Sequence, residues 1–407
     1  MTHEQNRHLY LYPKTQTIYF LTNFLIMEKF VEEEKKKDHD AVISEEALKG
    51  FGLLAIMILL QIFILIPLAG CGNVLYLSRL GWHQSFITFH SVPVEEILKD
   101  ESMNAQWKEK IAFVQEVKSF GEGKLGLKKT KSYSKFFEAK GPVLYVVTAS
   151  EKDRLQLYTW NFPITGRVTY KSFFTKEGVL KEKQFLEGKG LDTFVQRAGA
   201  YSTLGWLKDP IFSSMMEWNH VALANLILHE MTHTTVYFKD ETDFNEQLAT
   251  FIGNRGAIDF LIEKYGIGSK EVAEAIHVQE DDLLFSRWVD QACQRLSTYY
   301  AKEISRDEKL GGREEIFRSV KEEFREIKVQ FKTDCYKDFE KRDLNNAVLL
   351  AYRRYIHRLE NFKTVYEYLG RDLKKVIEFF KEGQASEERP SFFLERWMKE
   401  RGITVPN

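Results

Sequence analysis

His229-Glu230-Met231-Thr232-His233 sets two imidazoles and a carboxylate within five residues. That spacing does chemistry on a helix, where at about 3.6 residues per turn His229 and His233 stand one above the other and can reach a single metal ion. Glu230 lies beside that face, placed to take a proton from a water that the ion makes acidic. A third ligand is expected from the next element. Asp243-Phe244-Asn245-Glu246-Gln247-Leu248-Ala249 reads as the start of a second helix, and Lys239-Asp240-Glu241-Thr242 as a polar turn that folds it back antiparallel, bringing Glu246 to the histidines. A local reading competes, because Asp243 as N-cap with Glu246 three residues on spells a capping box. It leaves the two histidines unexplained.

The elements that must hold these residues follow from their flanks. Residues 221–228 and 236–238 are largely apolar, so the helix would be buried. Upstream, Tyr201-Ser202-Thr203-Leu204-Gly205, closed by Asp209-Pro210, reads as an edge strand that can pair with the extended backbone of a peptide substrate; an internal strand with no such role is the alternative. Residues 142–148, 155–158 and 167–174 are rich in Val, Tyr, Phe and Thr and suggest a small sheet, with a further strand near Phe194 after a helix. Residues 75–87 and 94–117 show helical spacing, and residues 270–342 form charged amphipathic helices, most simply a hairpin, with Gly311-Gly312 as a breaker. The fold class expected is α+β, predominantly α. Its organisation is an N-terminal extension with a signal or anchor segment (1–70), a helical region (71–141), a catalytic core with the small sheet and metal-binding helices (142–266), a charged hairpin (267–343) and closing helices (344–407).

Composition narrows the function. A chain of 407 residues, 44% hydrophobic, can bury a large core, and 58 basic against 59 acidic residues give no global electrostatic case for nucleic acid. The Lys-rich stretch 124–140 is accordingly read as a solvated helical face. Residues 51–68 run without a charge and are long enough to span a bilayer. Leu68-Ala69-Gly70-Cys71 follows and is similar to a bacterial lipobox, which would make Cys71 the lipidated first residue of the mature chain. The acidic and basic block that precedes the run departs from an ordinary signal peptide, so an uncleaved anchor and a plain buried helix stay open. Lipidation would also account for the odd number of cysteines, Cys71, Cys293 and Cys335. The last two either pair across the hairpin or stay free.

Several further runs carry a family resemblance. Trp160-Asn161-Phe162-Pro163-Ile164-Thr165-Gly166, Tyr170 with Phe174, Tyr201 to Trp206 with Asp209-Pro210, the His229 motif, Phe244-Asn245-Glu246 with Ala249, and Leu344-Asn345-Asn346-Ala347 occur in matching order over about residues 70–380. Together the chain resembles the predicted aminopeptidase family of bacterial zinc lipoproteins, HExxH metallopeptidases similar to gluzincins. The resemblance implies one zinc per chain on His229, His233 and Glu246, Glu230 as base and proton shuttle, and a peptide substrate. It also implies a tyrosine that stabilises the oxyanion, for which Tyr355 is the candidate because it lies one helical span after Asn345-Asn346; a core tyrosine is the alternative. A location in the cell envelope, facing the periplasm or exterior, goes with it. An aminopeptidase needs an acidic anchor for the free amino group, with Asp209, Glu217 and Glu241 as candidates. A zinc endopeptidase and a lipid-anchored binding protein without turnover are the rival readings.

Overall fold

The computed structural model describes residues 71–139, 141, 143–162, 166–202 and 208–403, with Gln16 and Thr17. Its helices are α1 (Cys71–His90), α2 (Val94–Lys99), α3 (Ala105–Gly123), α4 (Lys176–Gly188), α5 (His220–Thr235), α6 (Thr242–Tyr265), α7 (Lys270–Tyr300), α8 (Arg306–Ile327), α9 (Asn346–Ile356), α10 (Leu359–Tyr368), α11 (Leu373–Ala385) and α12 (Pro390–Glu400). The strands are short: β1 (Val92–Pro93), β2 (Lys135–Phe137), β3 (Leu144–Ser150), β4 (Trp160–Phe162), β5 (Gly166–Val168), β6 (Lys171–Phe173), β7 (Asp192–Ala198), β8 (Tyr201–Ser202) and β9 (Ile211–Phe212). This is a mostly helical α+β fold, with small sheets ahead of the histidine helix α5 and a helical C-terminal half. Two compact units result. One holds Met1–Ile18, Ser91–Tyr158 and Thr169–Asn407, and so the histidines; the other holds Tyr19–His90 and Thr159–Val168.

In the first unit β3 is the centre of a three-stranded antiparallel sheet, paired with β7 from Leu144↔Ala198 to Ser150↔Asp192 and with β6 through Tyr145↔Phe173. Leu144, Val146, Val147 and Ala149 are fully buried, a near-continuous run that fits a central strand with α4 and α9 packed against it. A second sheet has β2 between β9, parallel, and β1, antiparallel. Tyr201 and Ser202 pair in parallel with Gln16 and Thr17. In the second unit β4 pairs with β5, and Tyr76 stacks on Phe162 at 5.6 Å.

Some expected elements differ. The helix expected over 94–117 breaks after Lys99, because Asp100 accepts the Ser102 N–H and Asn104 accepts those of Gln106 and Trp107, capping α3 anew. Residues 124–139 are loop and then β2, not a helical face: Tyr133 and Phe136 turn inward and are buried, while Lys124, Lys128, Lys129 and Lys131 stay exposed. The hairpin of α7 and α8 turns at 301–305, where Ser305 and Glu308 form a capping box, while Gly311-Gly312 lies inside α8. At Gly312 a Cβ would meet the Tyr299 hydroxyl, which donates to the Glu308 carbonyl. Cys293 and Cys335 are both free thiols. The uncharged run 51–68, like every residue before Cys71 except Gln16 and Thr17, lies outside the described residues; among those described, no helix is long and apolar enough to cross a membrane.

Candidate metal centre

Helix α5 begins at a clean cap, the Asn219 side chain accepting the Ala222 N–H at 2.9 Å. From Leu226 to His233 every residue is buried, so the imidazoles and the Glu230 carboxylate are held in the interior. Helix α6 packs directly on it. Gly253 permits that approach, because a Cβ there would meet the Asn225 carbonyl oxygen at 2.9 Å and the His229 Cβ at 3.1 Å.

The turn between the two helices sets the register. Asp240 takes a left-handed conformation, φ 61°, and the Asn245 amide closes the loop, accepting the Phe238 N–H at 2.9 Å and donating to its carbonyl at 2.7 Å. Asn245 thereby fixes the residue after it. The Glu246 Oε2 lies 3.3 Å from the His229 Nε2 and 3.5 Å from the His233 Nε2, and the two Nε2 atoms are 3.1 Å apart. The N-cap of α6 is Glu241, with no side-chain cap, so the capping box on Asp243 does not form. Glu246 faces the histidines instead.

Three donor atoms spaced in this way fit a tetrahedral ion. Bonds of about 2.0–2.1 Å at tetrahedral angles put ligand atoms about 3.3 Å apart, the middle of the observed range. Electrostatics agree, since His229, His233, Glu246 and Glu230 are all at most 4% exposed and a divalent cation offsets two buried carboxylates. Burial pushes the Glu246 carboxyl up, but the His233 charge and hydrogen bonds from both imidazoles outweigh it and hold the group down at about 2, so it is a carboxylate. Burial pulls His233 down and the Glu246 charge lifts it back above the ordinary histidine value. The Glu230 Oε1 is 3.9 Å from the His229 Nε2, beside the ligand set and outside it.

Tyr355 reaches this centre from α9. Its ring centroid is 6.5 Å from that of His229, and it is 2% exposed. Burial, then the Glu246 charge, pushes its hydroxyl well above the usual tyrosine value, so it remains a proton donor. The Asn345-Asn346 pair explains how α9 is placed. Asn345 caps the helix through the Val348 N–H and donates to the Thr193 carbonyl at 3.1 Å. Asn346 donates to the Glu151 carbonyl at 2.9 Å, accepts from the Tyr300 hydroxyl at 3.0 Å, and gives its backbone N–H to Asp192. Asp192 in turn holds the buried Arg313 by two bonds of 2.7 and 3.0 Å.

Two residues near the centre were not legible in the sequence. Tyr133 is buried at φ 63°, a costly conformation for an aromatic residue, fixed by its N–H to the Asp209 carbonyl at 2.6 Å and by Gln115 donating to its own carbonyl at 2.7 Å. Burial, then the charges of Glu230 and Asp209, pushes its hydroxyl well above the usual value. Arg354 is 1% exposed, lies 5.1 Å from the Tyr170 ring centre, and has its Nε 3.5 Å from Asp243 on the turn of α6 before Glu246. The interleaving of Tyr133, Phe136 and Phe137 with Lys131 and Lys135 was the available signal for Tyr133; nothing local marks Arg354.

The remaining expected residues divide. Among the acidic candidates, Asp209 is buried and its charge acts on Tyr133, Glu241 pairs with Arg389 at 3.0 Å, and Glu217 is exposed. Of the edge strand, Tyr201 has its ring in the core, 5.2 Å from that of Phe212, Ser202 completes β8, and Thr203, Leu204 and Gly205 lie outside the described residues.

No curated protein and no solved structure matches the chain. One family profile does, over residues 75–391, which takes in the histidine helix, Glu246 and α9. With that span and the buried His229, His233 and Glu246 group, the chain belongs to the family described as Putative aminopeptidase.

Proposed function

We propose that the protein is a zinc-dependent aminopeptidase, and the observation that carries the reading is the convergence of two Nε2 atoms and one carboxylate oxygen within 3.5 Å, with Glu230 beside them. Two histidines and a glutamate are a catalytic zinc set, since three protein ligands leave one position open. Zinc bound there supplies a Lewis acid and lowers the pKa of water to about 7. His229, His233 and Glu246 would hold the ion, and Glu230 would take the proton of the attacking water and return it to the leaving amine. Tyr355, kept neutral, donates to the carbonyl oxygen as charge develops on it. The run from Tyr201 through Ser202, Thr203 and Leu204 to Gly205, of which Tyr201 and Ser202 are described as strand, would pair with the substrate backbone. Cys71, lipidated, or the uncharged run before it, tethers the protein in a bacterial cell envelope, with the site facing the periplasm or exterior.

The test is metal analysis combined with a peptide panel. About one zinc per chain and cleavage of peptides with free amino termini, with N-blocked peptides untouched, support the proposal. Equal cleavage of blocked peptides replaces aminopeptidase by endopeptidase. Zinc without any cleavage leaves a metal-binding envelope protein and overturns the enzyme reading.

A further inference from the structure

Helix α1 has two unlike faces. Leu80, Gln84 and Ile87 are buried, at 4, 6 and 6% exposure, and Trp82, Phe86 and Phe89 are exposed at 75, 48 and 81%. At about 100° per residue, Trp82, Phe86 and Phe89 fall roughly 180–240° around the axis from Leu80, one continuous aromatic stripe on the side away from the buried one. Over the 20 residues of α1 Arg79 is the single Lys, Arg, Asp or Glu. Isolated apolar residues at a surface need no explanation, but three large aromatics in one stripe do. Tryptophan and phenylalanine on a weakly charged helix face suit the boundary between lipid headgroups and acyl chains.

The chain before α1 says what lies against the stripe. Its uncharged run 51–68 ends three residues before Cys71, the first residue of α1. With the tether proposed above, be it that run or a lipid on Cys71, the start of α1 is at a bilayer surface. At about 1.5 Å per residue, Trp82 is then roughly 16 Å and Phe89 roughly 27 Å along the helix from the tether. A helix lying along the surface puts the whole stripe into the headgroup region.

We infer that the Trp82, Phe86 and Phe89 face of α1 is a docking surface for a phospholipid bilayer, which lays the helix along the membrane next to its tether. The inference rests on the membrane tether and is independent of the peptidase reading.

Full-length protein reconstituted into phosphatidylethanolamine and phosphatidylglycerol vesicles, a fraction of them with brominated acyl chains, tests this by tryptophan fluorescence. Of the 7 tryptophans, Trp82 is the largely exposed one among those described. Bromolipid should quench roughly one part in seven of the wild-type emission, that being the share of one indole among the 7. Trp82→Phe should abolish the quenching while vesicle association and circular dichroism stay unchanged, and adding Phe89→Trp in that background should restore it. Quenching that persists in Trp82→Phe, a wild type that is not quenched, or a chain that does not associate with vesicles overturns the inference. A dimer that dissociates on Trp82→Phe, without quenching, overturns it in favour of a second copy as the occupant.

Discussion

The Nε2 atoms of His229 and His233 and the Oε2 of Glu246 are held within 3.5 Å of one another inside the protein, where without a cation each would be a cost. Changing His233 to Ala removes one of three ligands, and metal analysis should show the bound ion falling from about one per chain to a small fraction, with the fold retained. Metal unchanged in His229→Ala with His233→Ala would mean another site. The histidines were legible because four-residue spacing is a local signal, and Glu246 because a polar turn marks the next helix as folding back on them. Tyr133 and Arg354 were not, since what places them, the Asp209 carbonyl for one and Tyr170 with Thr169 for the other, is distant in the chain. The cysteines yield a second residue-scale prediction. Burial pushes the Cys293 and Cys335 thiols up to about 12, so both should resist alkylation at pH 8 in the folded protein and react on unfolding. Either thiol reacting at once in the native state contradicts this, the more so for Cys293, which is buried where Cys335 is half-buried.

Among the elements, the junction of α5 and α6 governs the centre. Gly253→Ala puts a methyl group against the Asn225 carbonyl and the His229 Cβ, so the helices must part by a few tenths of an ångström. The expected result is a loss of about 1–3 kcal/mol of stability with weaker metal retention, read by denaturant unfolding and metal titration. A wild-type midpoint would show that the helices have room. The junction of α9 rests on a buried ion pair, and Asp192→Ala should cost about 3 kcal/mol by leaving the buried Arg313 with only the exposed Glu314 as a charged partner. Element types followed from periodicity and the order of strands and helices could be read. The break before Asn104, the turn at 301–305 and the inward run at Tyr133 could not, because each depends on caps or on contacts that no local period records.

At the scale of the whole molecule, acid should weaken the fold through the pair that joins α7 to the end of α9. Burial pushes Asp290 up, but the His357 hydrogen bond and the charges of His357 and Arg353 bring it below its usual value; burial pulls His357 down despite that partner. Both native pKa values are therefore depressed. The unfolded chain takes up these protons first, so the stability they contribute is present above about pH 6.5 and is lost as pH falls, first through His357 and then through Asp290. His357→Gln should show a smaller drop in melting temperature between pH 7 and pH 5 than the wild type, and an equal drop would exclude His357 as a source. The family is shown by the chain, the fold gathers a buried group that could hold a metal ion, and the proposed reaction turns on one carboxylate. Glu230→Gln keeps the shape of the side chain and leaves His229, His233 and Glu246 in place, yet cannot accept a proton. Removing a general base commonly costs about 10²- to 10⁴-fold. Purified Glu230→Gln should bind the same zinc as wild type and the same peptide with similar affinity, while kcat falls by at least about a hundredfold. Turnover at the wild-type rate, with zinc retained, would contradict the account.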